Sequence, residues 1–327
     1  MPTLDPGGAA GYLVERGLAV AADEIVARSL GGGVSNVVLD VDTGSRRLVV
    51  KQSLPRLRVE DEWLAKRERV VTEADALRAY RELTPESVPR VLDVAPDRFT
   101  IVIEHAPPGW LDWKSLLLEG DADPGIAAAL GRVLGTWHGG TWDREEFRSR
   151  FADLEAFEQL RVDPYYRTLM RRRPDLAGPV AARIESMATQ RRCLCHGDFS
   201  PKNVLCGGNG LWVLDAEVAH FGDPGFDTGF MLNHLFLKAV HRPAALPGYA
   251  ACARAFWSAY AGPGPRVGEA ETLGHLACLM LSRVHGKSPA EYLDEDQRGV
   301  ADGLGVDLLL RPPASLAEAL ERLEAAL

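Results

Sequence analysis

One largely apolar stretch of the chain carries an unusual density of acidic and amide side chains. His196, Asp198 and Asn203 fall within "HGDFSPKNVL", and Asp215 and Glu217 follow in "VLDAEVAHFGDPGFDTG". Carboxylates set between apolar segments are costly to bury unless a cation or hydrogen bonds compensate their charge. Asp and Asn oxygens are hard ligands, which Mg²⁺ takes together with phosphate oxygens. The stretch therefore predicts a magnesium site with open positions for a phosphate group.

The spacing of these residues indicates phosphoryl transfer. Asp198 precedes Asn203 by five residues, and Asp215 follows Asn203 by twelve. That order supplies a carboxylate to take the proton of an attacking hydroxyl, then an amide and a carboxylate to hold metal on a nucleotide. Protein kinases have the same interval of five, but His-Gly-Asp and "DAE" here replace His-Arg-Asp and Asp-Phe-Gly. A helix predicted soon after Asp227 also leaves no room for a long activation segment, so a kinase of protein substrates is disfavoured.

The patterns along the chain divide it into two parts. Three β-branched runs between residues 25 and 52 predict an antiparallel meander, a helix is predicted over Val59–Leu83, and two more strands follow up to Glu104. Beyond "APPG" the segments are mostly helical, apart from loops and a small hairpin around residues 192–214. We expect an α+β fold with a β-rich lobe over residues 1–105 and a larger, mainly helical lobe over residues 106–327.

Composition excludes several classes of function. Against 46 Asp and Glu stand 37 Lys and Arg, giving a formal charge of −9, so no general positive field would collect nucleic acid or anionic membrane. No signal peptide is evident and no apolar run approaches the ~18 residues of a membrane span. The five cysteines lack zinc-site spacing and are expected to be reduced thiols. We expect a cytoplasmic protein, a monomer or a homodimer, whose partner is a small molecule.

The two polar segments resemble the signature of the aminoglycoside phosphotransferase and choline kinase superfamily. Within it, "VVKQSLPRLRVEDEWLAKRERVVTEADAL" and the Asp-x-Glu at Asp215 and Glu217 are similar to methylthioribose kinase. The resemblance implies a protein-kinase-like two-lobed fold, ATP and Mg²⁺ as cofactors, and a small-molecule hydroxyl as the acceptor. It implies that Asp198 is the catalytic base at the substrate and that Asn203 and Asp215 bind magnesium. Glu217 would either bind the magnesium directly or support its ligands.

Lys51 is the expected contact to the nucleotide phosphates. A lysine at the end of the buried "LVV" strand needs negatively charged partners. The resemblance implies that these partners are the α and β phosphates and Glu73. Glu60, Glu62 and Glu68 are alternative partners. Glu73 is preferred for its "EADAL" context.

Two further segments are candidates for binding the nucleotide. "GGGVSN" fits a phosphate-covering hairpin, with Gly31 and Gly33 at the first positions of GxGxxG, Ser35 next to the third, and Asn36 in place of its glycine; an ordinary hairpin turn is the alternative. The segment "IVIEHAPPG" would be a hinge that binds adenine through the backbone of Glu104, His105 and Ala106. A simple linker between the lobes is the alternative.

The acceptor is less constrained than the nucleotide. Arg283, in "SRVHGKSP", could face the substrate, although a solvated helix end is an equally good interpretation. An aminoglycoside is a polycation and would need many acids around it, which the charge of −9 permits. A sugar-like or other small alcohol is favoured because of the resemblance to methylthioribose kinase between Lys51 and Leu77. A nucleotide-binding module without activity is disfavoured because Lys51, Asp198, Asn203 and Asp215 are all present.

Overall fold

A computed structural model describes residues 3–20, 24–31, 35–57, 65–208, 210–262 and 264–327. It begins with a helix that the sequence patterns did not indicate, α1 (Pro6–Glu15), which Asp5 caps by accepting a hydrogen bond from the Gly8 N–H. Ala9, Tyr12 and Leu13 of α1 are buried against the first sheet. The glycine-rich start of the chain is therefore part of the folded core.

The N-terminal part contains one antiparallel sheet of five strands: β1 (Val26–Ser29), β2 (Asn36–Asp42), β3 (Arg47–Ser53), β4 (Val91–Ala95) and β5 (Thr100–Glu104). Their order in the sheet is β1-β2-β3-β5-β4. The predicted meander is confirmed by the pairing of β2 with both β1 and β3. Lys51 on β3 lies between Val38 of β2 and Ile101 of β5, so its position is fixed from both sides.

The predicted helix over Val59–Leu83 begins later than expected. Helix α2 spans Arg69–Leu83, residues 65–68 are not helical, and residues 58–64 lie outside the described ranges. The reason is the fully buried side chain of Arg69, which donates to the carbonyls of Ala65 and Lys66 immediately before the helix. The chain there curls around the guanidinium group instead of continuing the helix.

The remainder of the chain is mainly helical. Its α-helices are α3 (Trp113–Glu119), α4 (Pro124–Thr141), α5 (Glu145–Arg150), α6 (Glu155–Phe157), α7 (Thr168–Arg172), α8 (Ala177–Thr189), α9 (Pro224–His241), α10 (Leu246–Tyr260), α11 (Glu269–His285), α12 (Glu295–Leu310) and α13 (Leu316–Ala326). A π-helix over Glu158–Arg167 joins α6 to α7 and contains Pro164. Within the described ranges, no helix is both long and apolar enough to cross a membrane.

Five short strands of the described chain interrupt the helices; three of them lie in the predicted loop and hairpin region around residues 192–214, and the first and last lie outside it. The five strands are β6 (Leu111–Asp112), β7 (Cys193–Cys195), β8 (Val204–Gly207), β9 (Gly210–Val213) and β10 (His220–Gly222). Strand β7 pairs with β10, and β8 lies between β6 and β9. The polar segments identified in the sequence form the loops that leave β7 and β9.

Three flat rings join the two parts of the molecule. Tyr80 of α2 stacks on Trp137 of α4 with ring centroids 3.8 Å apart, and the His196 ring lies parallel to both. The largest hydrophobic core continues across the same boundary, because it contains side chains of α2 and β5 as well as of the later helices. All five cysteines are buried free thiols, as expected.

Candidate active site

The loops after β7 and β9 are bonded to each other. The Leu214 N–H donates to the Asn203 carbonyl at 2.8 Å, and a ring nitrogen of His196 lies 3.1 Å from the Leu214 carbonyl. Asp215 follows at once with a backbone φ of +67°. Non-glycine residues rarely adopt this left-handed conformation, and those that do are found preferentially at functional sites.

Helix α9 holds the loop after β7 through Asp227. Its carboxylate accepts the backbone N–H groups of His196 at 2.6 Å and Gly197 at 2.8 Å. Burial raises the pKa of Asp227, but the hydrogen bond from His138 and nearby positive charge lower it by more, so the net shift is downward. Gly197 has φ +75°, and a Cβ there would meet the Val218 carbonyl oxygen at 2.6 Å. Asp227 therefore braces this loop through two backbone N–H groups, and His196 braces it against the Leu214 carbonyl.

Asp198 is a buried carboxylate with three donors on one oxygen. Its Oδ2 atom lies 2.8 Å from the Asn203 amide nitrogen, 2.8 Å from the Arg161 guanidinium and 2.9 Å from the Lys202 ammonium. Oδ1 accepts no hydrogen bond from the described residues. That oxygen is therefore free for a proton from a bound molecule.

Lys51 bridges two acids at the junction between the sheet and the loops. Its Nζ atom lies 2.6 Å from Glu73 Oε1 on α2 and 2.7 Å from Asp215 Oδ1. The predicted pairing with Glu73 is confirmed, whereas Glu68 immediately precedes α2, and Glu60 and Glu62 lie outside the described residues.

The charges of this bridge shift all three pKa values. Burial lowers the pKa of Lys51, but Asp215 and Glu73 raise it by more, so the side chain is held as a cation. Burial raises the pKa of Glu73 to about 7 against the opposing effect of Lys51. Burial also raises the pKa of Asp215, yet Lys51 and Lys202 bring it below its usual range. Asp215 is thus the ionised acid of the bridge, and its side chain is partly exposed.

Glu217 connects the predicted phosphate-covering hairpin to α2. Its Oε2 atom accepts the Asn36 amide at 2.8 Å and the Arg69 guanidinium at 3.0 Å. The same guanidinium donates to the backbone carbonyls of Ser35 and Leu54 at 2.5 and 2.9 Å. Arg69 and Glu217 are both buried. This buried pair fixes the end of the hairpin against the start of α2.

The oxygen donors at the centre of the site suit a hard cation. Asn203 directs its amide nitrogen at Asp198, which leaves the amide oxygen for another partner. Asp215 uses Oδ1 for Lys51, and within the described residues its Oδ2 accepts no hydrogen bond. Glu217 likewise has one oxygen, Oε1, outside its contacts with Asn36 and Arg69. Amide and carboxylate oxygens are the ligands that Mg²⁺ prefers.

The other predicted nucleotide contacts lie at the edges of this centre. Gly31 is exposed and Ser35 accepts from Arg69, while Gly33 lies outside the described residues. Glu104 ends β5, and its N–H donates to the Arg90 carbonyl. His105 follows, with a ring nitrogen 2.6 Å from the Ala106 carbonyl. These three residues connect the sheet to the helical part.

Arg283, near the end of α11, is half-buried. Its guanidinium donates to the backbone carbonyl of Ser288 and, at 2.7 Å, to the Ser288 hydroxyl. The neighbouring Ser282 hydroxyl donates to the Tyr165 carbonyl at 3.1 Å, and the centre of the Tyr165 ring lies 6.0 Å from the Arg161 guanidinium that contacts Asp198. Arg283 is therefore held by hydrogen bonds and is not a freely solvated helix end.

Two arginines of the site escaped the sequence patterns. Arg161 lies on the π-helix and donates to the Gly197 carbonyl at 2.8 Å besides contacting Asp198. Arg69 sits in the charged segment "KRERVV", where nothing in the sequence distinguishes it from its charged neighbours. Both are buried cations, and the nearby acids Asp198 and Glu217 were the available signal that such partners must exist.

The architecture is an α+β protein-kinase-like fold, with a five-stranded antiparallel sheet followed by a mainly helical region and a lysine–acid bridge between them. The chain belongs to the phosphotransferase enzyme family, whose model matches residues 26–270. This confirms the resemblance found in the sequence.

Individual relatives agree with this assignment. A methylthioribose kinase of Bacillus cereus (strain AH187) is 26% identical over 262 residues; the match covers 71% of this chain and 65% of that protein. A choline/ethanolamine kinase family protein from Mesorhizobium loti has a similar structure, with a TM-score of 0.55, 20% identity, and coverage of 98% of this chain and 99% of its own. Amicoumacin kinase hAmiN, in complex with AMP-PNP, Ca²⁺ and Ami, has a TM-score of 0.53 at 13% identity, covering 88% and 89%.

Proposed function

We propose that the protein is a kinase that transfers the γ-phosphoryl group of ATP to a hydroxyl of a small molecule, with Mg²⁺ as the metal. The observation that carries this proposal is the Lys51 ammonium bridging Glu73 and Asp215, next to Asp198 and Asn203. Kinase chemistry requires these groups together, because it depends on positioning and on neutralising phosphate charge. Membership of the phosphotransferase enzyme family supports the same conclusion.

Asp198 is the proposed catalytic base. Arg161, Lys202 and Asn203 hold Oδ2, so Oδ1 is directed to the acceptor hydroxyl. As the hydroxyl oxygen bonds to the γ-phosphorus, its proton passes to Asp198 and the bond to the ADP oxygen breaks. The two cations stabilise the negative charge of the carboxylate and keep its orientation fixed.

Lys51 is the proposed contact to the α and β phosphates, oriented by Glu73 from behind. Asn203 and Asp215 are the proposed magnesium ligands, with Glu217 as a further ligand or as support for the hairpin. A bound Mg²⁺ supplies charge neutralisation on the phosphate oxygens. The hairpin through Gly31, Gly33, Ser35 and Asn36 would cover the phosphates.

The adenine would bind along the backbone of the hinge at Glu104, His105 and Ala106. We place the boundary between a nucleotide-binding lobe, residues 1–105, and a catalytic and acceptor-binding lobe, residues 106–327, at the same hinge. The end of β5 at Glu104 supports that division. The likeness to hAmiN, a kinase in complex with AMP-PNP, supports a nucleotide as the phosphoryl donor.

For the acceptor, we propose a sugar-like compound or another small alcohol, by analogy with the methylthioribose kinases. An aminoglycoside is the alternative, but Arg161 and Lys202 lie directly against Asp198 and would repel a polycation. A nucleotide-binding module without activity would not need a buried base with a free oxygen.

The test is magnesium-dependent ATP consumption by the purified protein with methylthioribose, other pentoses, aminoglycosides, choline and homoserine. Asp198→Asn is the blank: it should abolish turnover while leaving nucleotide affinity largely unchanged in calorimetry. Turnover with one acceptor that is lost in Asp198→Asn supports the proposal. Comparable turnover in both proteins would remove Asp198 from the role of base, and absence of ATP binding would overturn the proposed function.

A further inference from the structure

A lysine without an acidic partner is buried in the helical part of the molecule. Lys238 lies in the last third of α9 with 1% of its surface exposed. Within the described residues its ammonium makes no ion pair, and it lies 5.5 Å from the centre of the Tyr292 ring. Burying an uncompensated ammonium group is costly, so such a residue calls for a functional explanation.

The charges around Lys238 increase that cost. Burial, together with the positive charges of Arg283 and Lys114, lowers the pKa of Lys238 to about 7, while Asp112 acts in the opposite direction. The neighbouring His234, one turn earlier on α9, has its pKa depressed by burial and by Lys238, Arg283, Lys202 and Lys114. We define the basic cluster as Lys114, Lys202, His234, Lys238 and Arg283.

Two buried polar atoms at this cluster also lack partners. The Nε atom of Arg283 and the hydroxyl of Tyr292 make no hydrogen bond within the described part of the chain. Buried donors are normally satisfied, and an unsatisfied donor is a place where a bound molecule gains affinity. An ammonium group without an ion pair among the described residues, next to free donors of a guanidinium group and a hydroxyl, fits an anion.

The basic cluster is continuous with the proposed catalytic base. The Lys202 ammonium lies 2.9 Å from Asp198 Oδ2. Arg161, which also contacts Asp198, lies 5.9 Å from the centre of the Phe230 ring, and that ring packs against the His234 ring with centroids 5.1 Å apart. A small molecule with a hydroxyl at Asp198 would therefore extend toward Lys238 and Arg283.

We propose that the basic cluster binds a negatively charged group of the acceptor, so that the molecule phosphorylated is a small hydroxyl compound carrying a carboxylate or a phosphate. This inference rests on the proposed kinase function and narrows its acceptor class. Lys238 supplies a desolvated charge, Arg283 a directional Nε donor and Tyr292 a hydroxyl. The same cluster excludes polycations.

The binding test uses simple anions and does not depend on turnover. Inorganic phosphate and malonate are titrated calorimetrically into the protein saturated with magnesium and ADP, for wild type, Lys238→Met and Arg283→Gln. Arg298→Gln is the matched control, because Arg298 is exposed on the surface of helix α12. We expect saturable binding in wild type and Arg298→Gln that weakens about tenfold or more in the other two variants. The urea midpoint of Lys238→Met should be unchanged or higher, which separates lost binding from lost folding.

The turnover test separates the two sources of charge. D-ribose, D-ribonate and D-ribose 5-phosphate present one skeleton as a neutral, a carboxylate and a phosphate form, and methylthioribose is a second neutral acceptor. Preference for either charged form that disappears in Lys238→Met, at unchanged KM for ATP, supports the inference and identifies the anion. Equal anion affinity in all four proteins, or no saturable binding in wild type, overturns it. Turnover of a neutral acceptor that Lys238→Met leaves unchanged also overturns it while leaving the kinase function intact; failure to bind ATP would instead remove the kinase function.

Discussion

The buried pair of Arg69 and Glu217 offers a sharp test of how the predicted hairpin is attached. The Arg69 guanidinium makes five hydrogen bonds, to Glu217 and to four backbone carbonyls, and none of its surface is exposed. Arg69→Met removes all of them and leaves the Glu217 carboxylate buried beside Asn36 alone. Breaking a buried ion pair from one side costs about 3–5 kcal/mol, a large part of the ~5–15 kcal/mol that stabilises a typical domain.

Urea unfolding followed by circular dichroism measures this loss. Arg78→Met is the matched control on the same helix, because Arg78 is half-exposed and, within the described part of the chain, forms an ion pair only with Asp75. Its loss of stability should stay below about 0.5 kcal/mol. The double variant Arg69→Met/Glu217→Gln should recover at least about 1 kcal/mol of the loss, since it removes the stranded charge. Should Arg69→Met fail to fold, Glu217→Gln alone and Arg69→Lys supply the comparison. A loss below about 1 kcal/mol for Arg69→Met, or strictly additive losses in the double variant, would refute this reasoning.

Three further predictions concern the site and the pH dependence of folding. Lys51→Met should raise the KM for ATP or lower kcat, measured by steady-state kinetics, and wild-type values would exclude the proposed phosphate contact. Asp215→Ala should abolish the magnesium dependence of nucleotide affinity in calorimetry, whereas an unchanged dependence would argue against its role as a ligand. Burial lowers the pKa of His220 from 6.5 to about 4, so the unfolded chain takes up the proton at a higher pH and the free energy of unfolding falls as pH drops from 6.5 towards 4, by about 2 kcal/mol at pH 5. His220→Gln should lose this part of the pH dependence of stability, measured by urea unfolding at pH 7 and pH 5. The same pH dependence in both proteins would contradict the assignment.

The sequence predicted the parts of the fold that depend on local pattern. The β-branched runs around Lys51 form β2 and β3, and the polar segments around Asp198 and Asp215 form the expected loops. Pairing of Lys51 with Glu73 followed from the cost of burying an isolated ammonium group. In each case the governing interaction is either periodic along the chain or demanded by a single charge.

The features that escaped prediction depend on contacts distant in sequence. Helix α2 starts at Arg69 because its guanidinium group donates hydrogen bonds to the backbone carbonyl of Lys66, just before the helix, and to that of Leu54, farther away along the chain. The π-helix that carries Arg161 contains Pro164, which lacks an N–H for regular α-helical bonding. The sequence predicts that the buried carboxylates of Asp198 and Glu217 need positively charged partners. It does not predict which residues these are.

The ring stack described above bears on how activity is controlled. Tyr80 lies on α2 two turns beyond Glu73, and it stacks on Trp137 of α4 with centroids 3.8 Å apart. In protein kinases the corresponding helix can move and so make or break its lysine–glutamate pair. Here such a swing of α2 would have to separate Tyr80 from Trp137 and open the core that runs through both. Control of activity by a swing of α2 would therefore cost this ring packing in addition to the Lys51–Glu73 pair.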